Sequence, residues 1–245
     1  MNLNRLNKID KREIITLIFV LAVIILSLLK SFSGDLFYNY IYLRTSTLKL
    51  VFDHLFLVIF SSFVSGSLGF FLGVLFTRKK LRAFLPGINA FSSAAQTFPP
   101  IAVLALCVPV LGFGAKPTIT ALVIYGFFPV LRSTVSGLES VPKEIVETAK
   151  AMGMKSRQIL FKIEIPLSSG VIAGGLRVSV IIGTGTAALG AAVGAGGLGV
   201  PLISGLINEN YFHLLHGGIL AALLAVILDA YLEKIQKYLK NKFKT

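Results

Sequence analysis

Two glycine-rich stretches have the composition of phosphate-binding loops. Gly194-Ala195-Gly196-Gly197-Leu198-Gly199 satisfies the GxGxxG spacing, and Gly112-Phe113-Gly114-Ala115-Lys116-Pro117-Thr118 places a lysine after glycines. Neither sits where that chemistry needs it. The dinucleotide motif requires a short strand before it and a helix after it within a βαβ unit, whereas 194–199 follows a long apolar run. The second stretch has the wrong spacing, with Pro117 directly after the lysine. His54, His213 and His216 lie at span ends and are expected to have neither carboxylate nor cysteine partners, so neither a metal site nor a catalytic base is indicated. Cys107 is the single cysteine and lies in an apolar run, which excludes a disulfide framework. No nucleophile–base constellation emerges, so the chain is not expected to be an enzyme, and no cofactor is expected on it.

A second set of polar residues stands out because of the apolar company it keeps. Arg177 lies inside the stretch 168–193, where a charge is costly and faces either the bundle interior or water. It reads as a gate or pathway residue, or as an arginine snorkelling to the interface or tied to backbone carbonyls. Gln96 and Thr97 read equally as helix–helix hydrogen bonders or as substrate contacts. Thr184 and Thr186, between glycines in Gly183-Thr184-Gly185-Thr186, either sit in a tightly packed helix or loosen it and present hydroxyls to a polar route. Asp229 is the one intramembrane carboxylate that ion-coupled transport could use.

The most informative stretch is Ser140 to Pro166. Pro142 suits the first turn of a helix, and Glu144 and Glu147 complement the positive N-terminal end of its dipole. At 100° per residue, Ile145, Val146, Ala149, Met152 and Gly153 share one face, and Lys143, Glu147 and Lys150 lie opposite. Gly153 can end such a helix. The apolar face calls for a cover, either a membrane surface or a cleft in a cytosolic partner.

The elements that position these residues follow from composition. Of 245 residues, 55% are hydrophobic and 14% charged, with mean hydropathy +0.81; this leaves too little polar surface for a water-solvated globule. A spanning helix needs roughly 20 mostly apolar residues, and about six segments qualify: 14–29, 54–76, 92–111, 117–135, 168–193 and 212–232. The first follows Arg5, Lys8, Lys11 and Arg12 as a signal peptide would, but no small-residue cleavage site comes after it, so a retained helix is expected. The third carries Pro99, Pro100 and Pro109 and is expected to kink. The chain therefore reads as an all-α membrane protein.

Lys and Arg mark cytoplasmic segments. They concentrate at the N-terminus, at Arg78, Lys79, Lys80 and Arg82, between Arg132 and Lys162, and from Lys234 onward. Both termini and the 140–166 loop are thus expected in the cytoplasm. The net charge of +13 is then a topology signal and an attraction to anionic lipid heads, and no nucleic-acid role is expected. The organisation expected is 1–53 as N-terminal segment, first helix and external loop, 54–232 as a five-helix core, and 233–245 as a basic cytoplasmic tail. In this orientation the 194–199 glycines are expected to form a tight turn or re-entrant stretch near the external mouth.

Glu147-Thr148-Ala149, three residues, Gly153, nine residues and Ile163-Glu164-Ile165-Pro166 resemble the EAA loop of bacterial ABC importer permeases. Thr148 replaces the second small residue of that pattern and Ile165 its leucine. The resemblance extends over nearly the whole chain from about His54, through Gln96-Thr97-Phe98-Pro99-Pro100, 129–134, 151–154, 185–188, 194–199 and 218–229. It is to the osmoprotectant branch, which imports glycine betaine, carnitine, choline or proline betaine; methionine-importer permeases share the 194–199 stretch. What the resemblance implies is a type I ABC importer permease fold, a dimer with a second copy or a sister permease, and an extracytoplasmic substrate-binding protein. It also implies a cytoplasmic ABC ATPase subunit carrying ATP and Mg and contacting Glu147, Thr148, Ala149, Gly153, Ile163 and Pro166. A secondary transporter working without ATP is the rival reading.

Overall fold

The computed structural model describes residues 11–32, 46–78 and 81–243. Arg5, Lys8, Lys79, Lys80, Lys244 and the external loop expected before residue 46 lie outside the described residues. The described chain is helical. Its elements are α1 (Lys11–Phe32), α2 (Thr47–Phe76), α3 (Leu85–Ala95, entered through a 3-10 turn at Arg82–Phe84), α4 (Pro100–Leu111), α5 (Ala115–Glu139), α6 (Lys143–Ala151), α7 (Ser156–Ile159), α8 (Ile165–Leu189), α9 (Gly199–Ile207) and α10 (Tyr211–Lys242). Lipid-embedded backbone has no water to bond, so a spanning chain satisfies its N–H and C=O groups within helices.

Four helical runs are long and apolar enough to cross a bilayer: Thr47–Phe76, Ala115–Glu139, Ser156–Val193 and Tyr211–Lys242. Of the remaining two expected spans, the first lies in α1, which is apolar over the described stretch Glu13–Ile25. The expected 92–111 span is two helices, α3 and α4, meeting at a 94° bend. Its cause is local. Pro99 and Pro100 lack backbone donors and push the residue before each toward extended backbone, and Pro99 sits at ψ 135°. The freed groups are satisfied nearby: Thr97 N and Oγ1 both donate to the Ala94 carbonyl, at 3.1 and 2.7 Å, and the Tyr125 hydroxyl donates to the Phe98 carbonyl.

Helix α5 is the centre of the bundle, packed between α2 and α8 and carrying α4 on a further side; α10 lies on α8, and α9 and α1 lie on α10. Lipid tails are as apolar as leucine, so close backbone approach rather than hydrophobic segregation holds such helices together. A Cβ on Gly126 of α5 would lie 2.7 Å from Ser65 Oγ of α2 and 2.4 Å from Ser179 Oγ of α8. Those two hydroxyls bond each other at 3.3 Å. Three helices therefore meet at a point only glycine can occupy. The segment expected as a separate basic tail continues α10 as unbroken helix to Lys242, and its Lys240 packs over Gly170 at the start of α8.

The two glycine-rich stretches lie at the end of the bundle opposite the 140–166 loop. Gly194, Gly196 and Gly197 have φ of 82°, 84° and 75°, a left-handed backbone that turns the chain from α8 into α9. The nine residues of α9 then run back against α10, so the stretch is a tight turn followed by a short re-entrant helix. Gly114 N donates to Val193 O at 2.6 Å, which ties the 112–114 turn to this one.

Candidate functional site

Residues 140–166 fold as expected in outline, with α6 hung between the last residue of α5 and the base of α8. Pro142 caps α6 in extended conformation, so the helix begins one residue later than the sequence reading placed it. Its end is a Schellman arrangement: Met154 N donates to Ala149 O at 3.1 Å and Gly153 N to Lys150 O at 2.9 Å. That geometry needs a left-handed residue between, and Gly153 supplies it at φ 79°. A Cβ on Gly153 would meet nothing within 4 Å, so the demand there is conformational and not one of space.

The apolar face is only partly covered by the chain itself. Ala149 is buried, whereas Met152 is 77% exposed and Ile145 is exposed as well. Glu147 and Thr148 are exposed, and the Thr148 hydroxyl donates to the Glu144 carbonyl one turn back at 2.8 Å. A hydroxyl thus replaces the family's second small residue without leaving a donor unsatisfied.

Beyond Gly153 the chain re-enters helix at Ser156, earlier than the span expected from 168, and passes through a π turn at Leu160–Glu164 before α8. Ile163 and Pro166 are half-buried there. Glu164 receives Arg78 Nη1 at 2.9 Å, and Glu139, at the end of α5, receives Arg82 Nη2 at 2.9 Å. The sequence reading took Arg78 and Arg82 only as orientation signals. Their partners are 86 and 57 residues away, beyond the reach of any spacing rule. A cavity of about 250 Å³ lies between these pairs and α6, with Lys143, Glu147 and Lys150 on its α6 side.

The polar residues within the spans form no single cluster. Arg177 is neither snorkelling nor tied to backbone carbonyls: its Nε and Nη2 donate to both oxygens of Asp229 on α10, at 2.5 and 2.7 Å. Gln236 Oε1 accepts from Arg177 Nη1 at 3.4 Å, and Glu233 lies 3.8 Å from Nη2. The fork-on-carboxylate geometry accommodates a charge in a span without an isolated ion. It engages the carboxylate that ion-coupled transport would have needed free. This ion-paired group borders a cavity of about 830 Å³ that reaches Ser140, Pro142 and Ile145 beside α6.

Gln96 and Thr97 are exposed at the α3–α4 bend. Thr97 bonds its own helix and not a neighbouring one. The Gly183–Thr186 stretch is uninterrupted helix. Thr184 is buried with its hydroxyl donating to Val180 O at 2.8 Å, and Thr186 is buried too; neither the loosening nor the offered hydroxyl is present at Thr184. A tight-packing reading of the glycines in this span holds for Gly174, Gly175 and Gly190, whose Cβ positions are occupied by neighbours, and not for Gly185, which has open space beside it. His54, expected at a span end without a carboxylate or cysteine partner, is buried and donates Nε2–H to the Thr184 carbonyl at 3.1 Å. It thereby joins α2 to α8 beside the Gly197 turn.

Residues 65–245 match the family described as binding-protein-dependent transport system inner membrane component. The chain belongs to that family. It is a permease component of an inner-membrane transport system, and the apolar helices above are its spans. The osmoprotectant import permease protein OsmW of Salmonella typhimurium is 35% identical over 79% of this chain and 92% of its own length. The glycine betaine/carnitine/choline transport system permease protein OpuCD of Bacillus subtilis is 35% identical over 80% of this chain and 86% of its own length. Among solved structures, an inward-facing form of the methionine ABC transporter MetNI superposes with a TM-score of 0.71 at 24% identity, covering 79% of this chain and 95% of that one. That likeness shows the fold, a type I importer permease.

Proposed function

We propose that this chain is the membrane-spanning subunit of an ATP-driven, binding-protein-dependent importer of osmoprotectants, small quaternary-ammonium compounds such as glycine betaine, carnitine or choline. The substrate class rests on the two relatives above; the methionine reading has only a fold likeness behind it. The chain would act without catalysis of its own, with ATP and Mg on a cytoplasmic ABC ATPase. An extracytoplasmic protein would deliver the substrate to a pore built with a second copy or a sister permease. Quaternary ammonium groups are held in aromatic cages, and with no Trp in this chain selectivity falls mainly to that binding protein.

The observation that carries the ATP-driven reading is α6 with its Schellman end: a short helix outside the spans, on the loop that joins α5 to α8, presenting Met152, Ile145 and Glu147 outward. A helix so exposed, clasped by a cleft in the ATPase, turns closure of that cleft into movement of α5 and α8. Gln96, Thr97, Arg177, Thr184 and Thr186 are weaker candidates for the pathway, of which Arg177 borders the cavity of about 830 Å³.

The test uses the complex with ATPase and binding protein in proteoliposomes. Glu147→Ala is expected to lower substrate-stimulated ATP hydrolysis. At Gly153 a β-branched residue must bear a left-handed strain of roughly 1–2 kcal/mol, so Gly153→Val should impair coupling more than Gly153→Asn. Full stimulation in both Glu147→Ala and Gly153→Val would remove the loop from the coupling path.

A further inference from the structure

We infer that Arg78 and Arg82 are positioning residues, which gather the motion of both ends of the 140–166 loop into the link between α2 and α3. The inference rests on the coupling role proposed for α6. It starts from how α6 is attached. Helix α6 packs chiefly on α7, the first turn of the Ser156–Val193 run, so a force applied to it passes to the base of that run and through its two chain connections. One connection is residues 140–142, leading to Glu139 at the end of α5; the other is 152–164, leading through the π turn to Glu164 at the base of α8. Each of these exits carries a carboxylate, and each carboxylate is held by an arginine of the same short segment. Arg82 holds Glu139 and Arg78 holds Glu164, both at 2.9 Å.

The Arg78 pair is the better braced of the two. Its Nε donates to the Val74 carbonyl at 3.3 Å, which locks the side chain onto the last turn of α2 while Nη1 reaches Glu164. Glu164 is only 15% exposed, against 41% for Glu139, so its pair is less screened by solvent. The π turn at Leu160–Glu164 matters for the same reason. An extra residue in a helical turn changes which direction the following side chains face, and Glu164 is the last residue of that turn.

From the 78–82 segment the path continues by covalent connection into the 3-10 turn at Arg82–Phe84 and then α3. Helix α3 ends at the 94° bend carrying Gln96 and Thr97. The 78–82 link therefore ties the loop to the one broken apolar helix pair among the described residues. Helices α5 and α8 move because α6 is joined to them, and α2 because it packs on both; the two arginines tie the start of α3 to that motion.

The experiment uses the assembled complex in proteoliposomes, with radiolabelled glycine betaine as the transported probe. It reads transport per ATP hydrolysed together with the stoichiometry of the purified complex. Arg78→Gln is expected to assemble normally and to lower transport per ATP by roughly two- to thirtyfold, the range expected for residues on a coupling path. Arg82→Gln should follow with a smaller loss, because its pair is more exposed. The exchange Arg78→Glu/Glu164→Arg should recover most of the loss. Transport per ATP within twofold of wild type in Arg78→Gln overturns the proposal, as does an exchange variant no better than the single one.

Should the single variants fail to assemble, cysteines at 78 and 164 in a Cys107→Ser background supply the second measurement. A strut that holds through the cycle tolerates a cross-link there, so oxidised complex that still transports supports the proposal. Loss of transport on oxidation, restored by reductant, overturns it. A wild-type complex whose ATP hydrolysis ignores substrate and binding protein would instead defeat the functional reading on which this rests.

Discussion

Arg177 shows how a span accommodates a charge. Its guanidinium grips both oxygens of Asp229 on the neighbouring helix, and the two side chains are 25% and 33% exposed. Removing one partner of a buried pair strands the other charge at a cost of 3–5 kcal/mol, and partial exposure lowers that, so Asp229→Leu alone should cost about 1–3 kcal/mol. Removing both charges together strands neither. Thermal unfolding in detergent should therefore find Arg177→Met/Asp229→Leu nearer to wild type than either single variant. If the double variant is the least stable of the three, the pair is worth more than its desolvation and this account fails. Gly153 makes a different residue-scale point: what it contributes is a backbone angle of φ 79° with open space around it, and asparagine comes closer to that angle than valine does.

At the scale of elements, the packing of α5 depends on small residues where helices touch and not on small residues in general. Gly126 faces two serine hydroxyls at distances a Cβ does not tolerate, whereas Gly185 has nothing within 4 Å. Gly126→Val should therefore lower the melting midpoint of the purified chain and broaden its elution profile, while Gly185→Val leaves the folding of the single chain intact. Similar losses in both would mean that close approach is not what the glycines of this bundle provide. The break between α3 and α4 belongs to the same scale. Prolines 99 and 100 make continuous helix impossible there, and the Tyr125 hydroxyl on α5 holds the Phe98 carbonyl that the break sets free. Sequence legibility was partial here: the prolines announced a kink, but a bend of 94° is set by where α5 receives the broken ends.

For the molecule as a whole, the basic segments gather at one end. Arg78 and Arg82 reach the ends of α5 and α8, Lys240 packs beside Gly170, and Thr16 of α1 lies 3.4 Å from Tyr231 of α10. The glycine turns at 112–114 and 194–197 occupy the other end. In cells, a cysteine replacing Ser156 in a Cys107→Ser background should react with a membrane-impermeant maleimide only after the cytoplasmic side is opened. One replacing Phe113, which is 78% exposed, should react from outside. The reverse pattern would overturn the positive-inside orientation.

Apolar run length and the placement of lysine and arginine, both properties of the chain read in order, determined that this is a helical membrane protein and which loop carries α6. Local rules did the same for the end of α6, because a Schellman turn is closed by residues three and five apart. Pairings between distant residues were decided only by tertiary structure. Arg78 meets Glu164 across 86 residues and Arg177 meets Asp229 across 52, and no helical period relates them. Their contacts exist because α2, α5, α8 and α10 approach closely enough, over glycine and serine, for those side chains to face one another.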